Sequence, residues 1–313
     1  MPPPNHRRAA LALDDYVRSI PALNDSDNVC VQRVTLAQTR TPGFCNTVNP
    51  RRDVHSDAYR EAAAATNYTR YAARLRPPHR WLEVPLSDEE RDTLVAAGRV
   101  RCCTGRASRV HVDELADIVQ RLDATLAPAV REHGALFMRL DACSCKDAYG
   151  DGAVRPVRGG ADAVEQLTRS ERAAYALQQR ESSTLVLRGW RRDIALAREF
   201  RCFFYRGRLT AISQYSPYEA YGWADRPDAV FPRLACAVRA RYAACGAPFA
   251  DCVMDVHVAA DGSTRCDDDD VEVLEYNPFG WHMNSGPACF DWQRDDALLR
   301  SDGACVHVRV VAP

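Results

Sequence analysis

The chain has 313 residues, 46 % hydrophobic and 27 % charged, with a formal net charge of −1. That balance suits a globular protein able to bury one large core or two lobes. It excludes a global field aimed at nucleic acid or an anionic membrane surface, and no run of eighteen apolar residues is present to cross a bilayer.

The first stretch, "MPPPNHRRAALALDDYVRSIP", lacks a sustained apolar core and a small-residue cleavage site, so no secretory leader is expected. Residues 1–50 mix Pro, Asn, Asp and Thr without periodicity and read as a loose extension. "SDAYREAAAATNYTRYAARL" (56–75) predicts a helix ended by Pro77 and Pro78. "LSDEERDTLVAAG" (86–98) predicts another, with Ser87 as cap, Glu90 three residues on, and Gly98 as stop. In "VDELADIVQRLDATLAPAVREHG" (112–134) apolar residues recur at 115, 118, 119, 122 and 126, an amphipathic helix that Pro128 should break or kink.

"ALFMRL" (135–140) and "TLVLRGW" (184–190) then read as strands. Between them, Gly159–Gly160 precedes a helix and is a weak candidate for a phosphate-covering loop. "EFRCFFYRGRLTAISQY" (199–215) is a hairpin turning at Gly207, and residues 232–246 form a helix stopped by Gly246. "DCVMDVHVAADGSTRCDDDDVEVLEYNPFG" (251–280) is a second hairpin around the acidic run Asp267–Asp270, which reads as a solvated turn. Helices first and antiparallel hairpins later give an α+β class.

Thirteen cysteines are scattered with no C-x-x-C pair and no zinc spacing, which fits packing thiols in a reducing cytosol. No P-loop, no G-x-G-x-x-G after a strand and no G-x-S-x-G occurs. The informative feature is alternation on the last hairpin. Asp255 shares a face with Val253 and His257, and Glu275 and Asn277 share one with Val271 and Val273. If the strands pair, Asp255, Glu275 and Asn277 converge. Three oxygen ligands suit Mg²⁺, which shares its coordination with phosphate oxygens; a solvated polar sheet face fits the same pattern. His257, on the same face, reads as a support behind the ligands or as incidental. Candidate cations are Arg139, Arg188, Arg201 and Lys146. Lys146 is the one lysine among 41 basic residues, and a mid-strand arginine such as Arg201 is either paired with a carboxylate or reaching for a ligand.

Together "ALFMRLDACSCKDA" (135–148), "LVLRGWRRDIALAREFRCFFYRGRLTAISQY" (185–215), "FADCVMDVHV" (249–258) and "VEVLEYNPFG" (271–280) resemble the cell division cycle protein 123 family, in order and spacing over roughly residues 79–292. The resemblance implies a two-lobed ATP-grasp-like α+β fold with antiparallel sheets and a nucleotide cleft between lobes. Residues 1–78 are then a divergent extension packing on the first lobe, 79–183 the first lobe, and 184–313 the second lobe with the Mg-ATP site.

By the same resemblance Arg139, Ser144 and Lys146 contact phosphates, the backbone around Val186, Leu187 and Arg188 reads adenine, and Arg201 is a further phosphate contact. Asp255, Glu275 and Asn277 match the Mg²⁺ ligands. Four positions depart from the family: Glu275 stands for an aspartate, Arg139 for a lysine, and Ala142 and Cys145 for a tryptophan and a proline. The implied function is ATP-dependent assembly of eukaryotic translation initiation factor 2 through its gamma subunit, by a cytoplasmic monomer. An ATP-grasp ligase joining a carboxylate to an amine through an acyl phosphate is the alternative enzyme reading. A third is a scaffold that binds protein and no nucleotide.

Overall fold

Main-chain pairing in the computed structural model, which describes residues 28–45, 56–75, 81–150, 152–179, 183–258, 271–283 and 285–313, assigns the strands to two sheets. The chain divides into two compact units, Asp53–Ile194 and Met1–Arg52 with Ala195–Pro313. The class is α+β, with one antiparallel sheet and one mixed sheet whose hairpins are antiparallel.

The unit Asp53–Ile194 holds β2 (Leu82–Pro85), β3 (Leu136–Leu140) and β4 (Thr184–Gly189), with β4 in the centre and antiparallel to both neighbours. The expected boundary at residue 183 is therefore corrected. β4, assigned to the second lobe by the sequence, is the middle strand of the sheet that β3 belongs to, because its main chain bonds β2 on one side and β3 on the other.

The expected helix over 56–75 is two pieces, α2 (Asp57–Ala65), capped by Ser56, and α3 (Tyr68–Tyr71). The break follows from competing partners. Tyr68 N bonds the Asp141 carbonyl, while Thr69 N and Oγ1 bond the Asp141 carboxylate at 2.8 and 2.9 Å. Pro77 and Pro78 lie outside the described residues. α4 (Asp88–Thr104) has the expected Ser87–Glu90 capping box, but it passes through Gly98 and stops at Gly105, whose φ is +68°. Gly98 is buried, and its helical backbone needs no glycine.

α5 (Val112–His133) is one helix, uninterrupted at Pro128. Proline removes one helical hydrogen bond, and burial of Ile118, Leu122 and Leu126 along one face outweighs that loss. α6 (Gly160–Arg169) and α7 (Glu171–Gln178) complete this unit, whose core joins α4–α7 to the inner face of the sheet through Leu94, Leu122, Met138, Leu167, Leu177 and Leu187.

The other unit carries a six-stranded sheet in the order β1-β9-β6-β5-β7-β8. β5 (Glu199–Tyr205) and β6 (Arg208–Gln214) form the expected hairpin. Arg206 and Gly207 have φ of 51° and 72°, the left-handed pair that a two-residue turn needs to match strand twist. β7 (Cys252–Val258) and β8 (Val271–Pro278) form the second hairpin; Asp267–Asp270 lie outside the described residues. β9 (Cys305–Ala312) runs parallel to β6 and to β1 (Asn28–Thr35), which leads into the short α1 (Leu36–Thr39).

β1 corrects the reading of residues 1–50 as loose. As an edge strand it exposes most side chains and so lacks an apolar signature; its eight-residue ladder with β9 makes it a strand. α8 (Val230–Ala244) contributes to the packing of this unit, where Phe204 stacks on Tyr242 with ring centroids 3.9 Å apart. A separate cluster of Phe203, Val253, Phe279, Phe290 and Trp292 is joined by Leu299 of the short α9 (Asp296–Leu299).

Candidate functional site

β7 and β8 place Asp255 directly opposite Glu275, and Val253 opposite Asn277. Next along, Val256 faces Val273, so Leu274 is an extra residue without an opposite. This bulge changes the expected arithmetic. Simple alternation puts Val271 and Val273 on the face of Glu275; instead they pair with Val258 and Val256 on the reverse face. Asp255, Glu275 and Asn277 still converge. The bulge restarts the alternation, so β8 buries valines on one side and presents carboxylate and amide on the other.

Asn277 Nδ2 lies between the two carboxylates, donating to Asp255 Oδ2 at 3.1 Å and to Glu275 Oε1 at 3.4 Å. Asp255 is 2 % exposed, while Glu275 and Asn277 are half-buried. Among the described residues no group of three or more His, Cys, Asp or Glu is placed to hold a metal ion. The donor set is thus two carboxylates and an amide. Its chemistry fits a hard cation such as Mg²⁺, which takes oxygen ligands and keeps waters.

Arg201 sits opposite Asp255 on β5 and opposite Ser213 on β6. Its Nε and Nη2 fork onto the two oxygens of Asp255 at 2.8 and 2.7 Å, and Nη1 donates to the Gly286 carbonyl. The Tyr215 ring lies 4.9 Å from its guanidinium carbon. Burial by itself lowers the pKa of Arg201, but the Asp255 carboxylate, with smaller help from Tyr215 and Glu275, reverses the sign and holds it above the ordinary arginine value. The arginine is permanently charged and committed to Asp255. Of the two alternatives open for a mid-strand arginine, the carboxylate pair is the one present. His257 is fully buried, its Nε2 accepting from Ala195 N at 3.3 Å, and it is not part of this cluster.

The remaining expected residues group in the unit Asp53–Ile194. Arg139 on β3 bridges Ser144 across the loop that follows, and faces Val186 on β4. Only 5 % of Arg139 is exposed; its guanidinium lies 5.2 Å from the centre of the Tyr68 ring, and Nε donates to the Leu140 carbonyl. Val186 and Leu187 are buried in the sheet, and Arg188 stacks 5.3 Å over Phe137. Lys146 is half-buried in the turn that the loop ends in. That turn is pinned by Asp147, which accepts from Ser170 Oγ at 2.5 Å and Arg172 N at 3.0 Å. Beneath it Cys145 is fully buried, and burial pushes its thiol well above the usual range. It is a packing residue.

Two arrangements escaped the sequence. Thr69 and Tyr68, in the stretch without family resemblance, hold the loop that follows Arg139 and carries Ser144, through Asp141. In the six-stranded unit Arg309 forms a second fork, to Asp295 at 2.6 and 2.9 Å. A signal for the latter existed: arginine inside "VHVRVV" repeats the pattern of Arg201 inside "EFRCFF".

The model of the D123 family matches residues 161–312. A putative CDC123-like protein (L884) of Acanthamoeba polyphaga mimivirus is 29 % identical over 168 residues, which are 52 % of this chain and 51 % of the relative, so the match spans about half of that protein. Cdc123 from Schizosaccharomyces pombe superposes with a TM-score of 0.60 at 17 % identity, over 81 % of this chain and 97 % of the yeast one. Its C-terminally truncated form gives 0.56 at 16 %, over 80 % and 97 %. At that identity the yeast structures show a shared fold. With the family model and the viral relative, they show that the chain resembles the D123 (Cdc123) family, in sequence over about half of its length and in fold over most of it.

Proposed function

We propose that this protein is a cytoplasmic, monomeric assembly factor for eukaryotic translation initiation factor 2 that binds its gamma subunit, and that it holds Mg-ATP in an ATP-grasp site. The observation that carries the nucleotide part is the convergence of Asp255, Glu275 and Asn277 on one face of β7 and β8. Their oxygens would hold Mg²⁺, which when bound neutralises phosphate charge. Arg139, Ser144 and Lys146 would meet phosphate oxygens, Lys146 as a compact three-donor cation. The main chain at Val186–Arg188 would read the adenine edge. The resemblance to the Cdc123 family supports the partner.

A thermal-shift titration tests the nucleotide. Mg-ATP at about a hundred times its dissociation constant adds roughly 2.7 kcal/mol and raises the melting temperature. ATP with EDTA should shift it less, and Asp255→Ala, Asn277→Ala and Lys146→Ala should abolish or weaken the rise. No rise in the unaltered protein overturns the Mg-ATP reading and leaves the scaffold reading. A pulldown that recovers no gamma subunit in the presence of Mg-ATP overturns the partner.

A further inference from the structure

We infer that Arg201 is a positioning residue for Asp255 and makes no contact with a phosphate. The inference rests on the Mg-ATP reading and reassigns one residue within it. All three nitrogens of Arg201 already have protein acceptors: Nε and Nη2 the two oxygens of Asp255, Nη1 the Gly286 carbonyl. Tyr215 covers the plane of the guanidinium, and the two side chains of the pair are 8 % and 2 % exposed. Three of the five N–H groups of Arg201 are used, and turning the guanidinium of this 8 % exposed side chain toward a phosphate would release a buried carboxylate and leave its charge uncompensated.

Left in place, the fork does something a single hydrogen bond does not. Two parallel bonds fix both the position and the rotation of the Asp255 carboxylate. Asp255 Oδ2 also accepts from Asn277 Nδ2, and the carboxylate is held opposite Glu275. The register does the aiming, since Arg201, Asp255 and Glu275 are direct cross-strand partners on β5, β7 and β8. Removing an outer partner of this kind typically weakens metal binding by about 10–100-fold.

The test is Mn²⁺ binding to the nucleotide-free protein, read by loss of the free-ion paramagnetic resonance signal, in the unaltered chain and in Arg201→Lys. Arg201→Lys keeps a positive charge and loses the fork. It should weaken Mn²⁺ at least about tenfold, while the affinity for ATP measured with Mn²⁺ saturating both proteins stays unchanged. Unchanged Mn²⁺ binding, or weakened ATP binding at saturating Mn²⁺, overturns the inference and leaves the Mg-ATP reading standing. An unaltered protein that binds no Mn²⁺ without nucleotide overturns the inference, while the Mg-ATP reading stands or falls by the thermal-shift titration. If Arg201→Lys does not fold, Tyr215→Leu takes its place: it strips the ring from the guanidinium and leaves the ion pair. A smaller loss of Mn²⁺ affinity is then expected, and none overturns the inference.

Discussion

Arg309 and Asp295 form a buried pair of the same design as Arg201 and Asp255, with Arg309 two strands from Arg201 in the same cross-strand row. Arg309 also bonds Gln32 Oε1 at 2.7 Å and the Cys289 carbonyl at 3.3 Å, and lies 4.3 Å over the Phe290 ring. Burial alone would raise the Asp295 carboxyl, but hydrogen bonds from Arg309, Arg294 and the Asp291 amide outweigh it and hold its pKa below the usual carboxylate value. Its stabilisation is therefore complete above the unfolded-chain value, near 4, and is lost as pH falls through the lower folded value. Asp295→Ala should cost about 3 kcal/mol at neutral pH, since breaking a buried pair leaves a charge behind. The gap to the unaltered protein should narrow as pH drops below about 4. Urea unfolding at both pH values checks this; a gap independent of pH would mean the charge is not what matters. Both arginines are visible in sequence as a cation inside an apolar strand. Their partners are not, because Asp295 lies outside the strands and was brought in only by the fold. Asp255 was legible for a different reason, its period-two spacing from Val253 and His257.

Two glycines in the helices of the unit Asp53–Ile194 carry opposite expectations. At Gly98 an added Cβ would sit 3.5 Å from the Thr168 carbonyl, an ordinary contact, and the backbone is helical. Gly98→Ala should stabilise by about 0.5–1 kcal/mol, the usual cost of glycine within a helix. At Gly160 the Cβ would meet the Val119 carbonyl oxygen at 2.2 Å, and backbone cannot step aside as a side chain can. The Gly160 amide also donates to Asp123 Oδ1 at 2.6 Å, closing α6 onto α5. Gly160→Ala should thus cost about 1–3 kcal/mol or more from overpacking. Thermal unfolding of the two variants reads both signs, and a stable Gly160→Ala would refute the close-packing account. The Gly159–Gly160 pair has a packing reason sufficient in itself, which its sequence context as a candidate phosphate loop did not contain. Elements with strong periodicity and caps, such as α4 and the β5–β6 hairpin, were legible. What failed was punctuation: Gly98 and Pro128 read as stops, yet buried faces carry both helices through. The Leu274 bulge was equally invisible, since the residues around it look like continuous alternation.

At the scale of the molecule, the six-stranded unit is assembled from both ends of the chain, Met1–Arg52 and Ala195–Pro313. A sequence reading that cuts linearly, at 78 and 183, has no means of seeing this. β1 and β9 are separated by most of the chain and meet only through parallel pairing, a contact that no local pattern encodes. β9 is rich in buried valines, Val306, Val308, Val310 and Val311, and has β6 on its inner side and β1 on its outer side. Removing residues 1–45 would leave β9 as the edge: a flat, apolar strand with a row of open amides and carbonyls, the form that pairs between molecules. Arg309 would also lose its Gln32 acceptor. The shortened protein should melt at a lower temperature and aggregate with rising concentration, which calorimetry and light scattering would record. Gln32→Leu in the full chain removes the acceptor while keeping the strand, and should lower the melting point without aggregation. Equal melting and equal monodispersity for the shortened and full chains would mean that β1 adds nothing to the sheet. In that case the stretch lacking family resemblance would have no structural part in this unit.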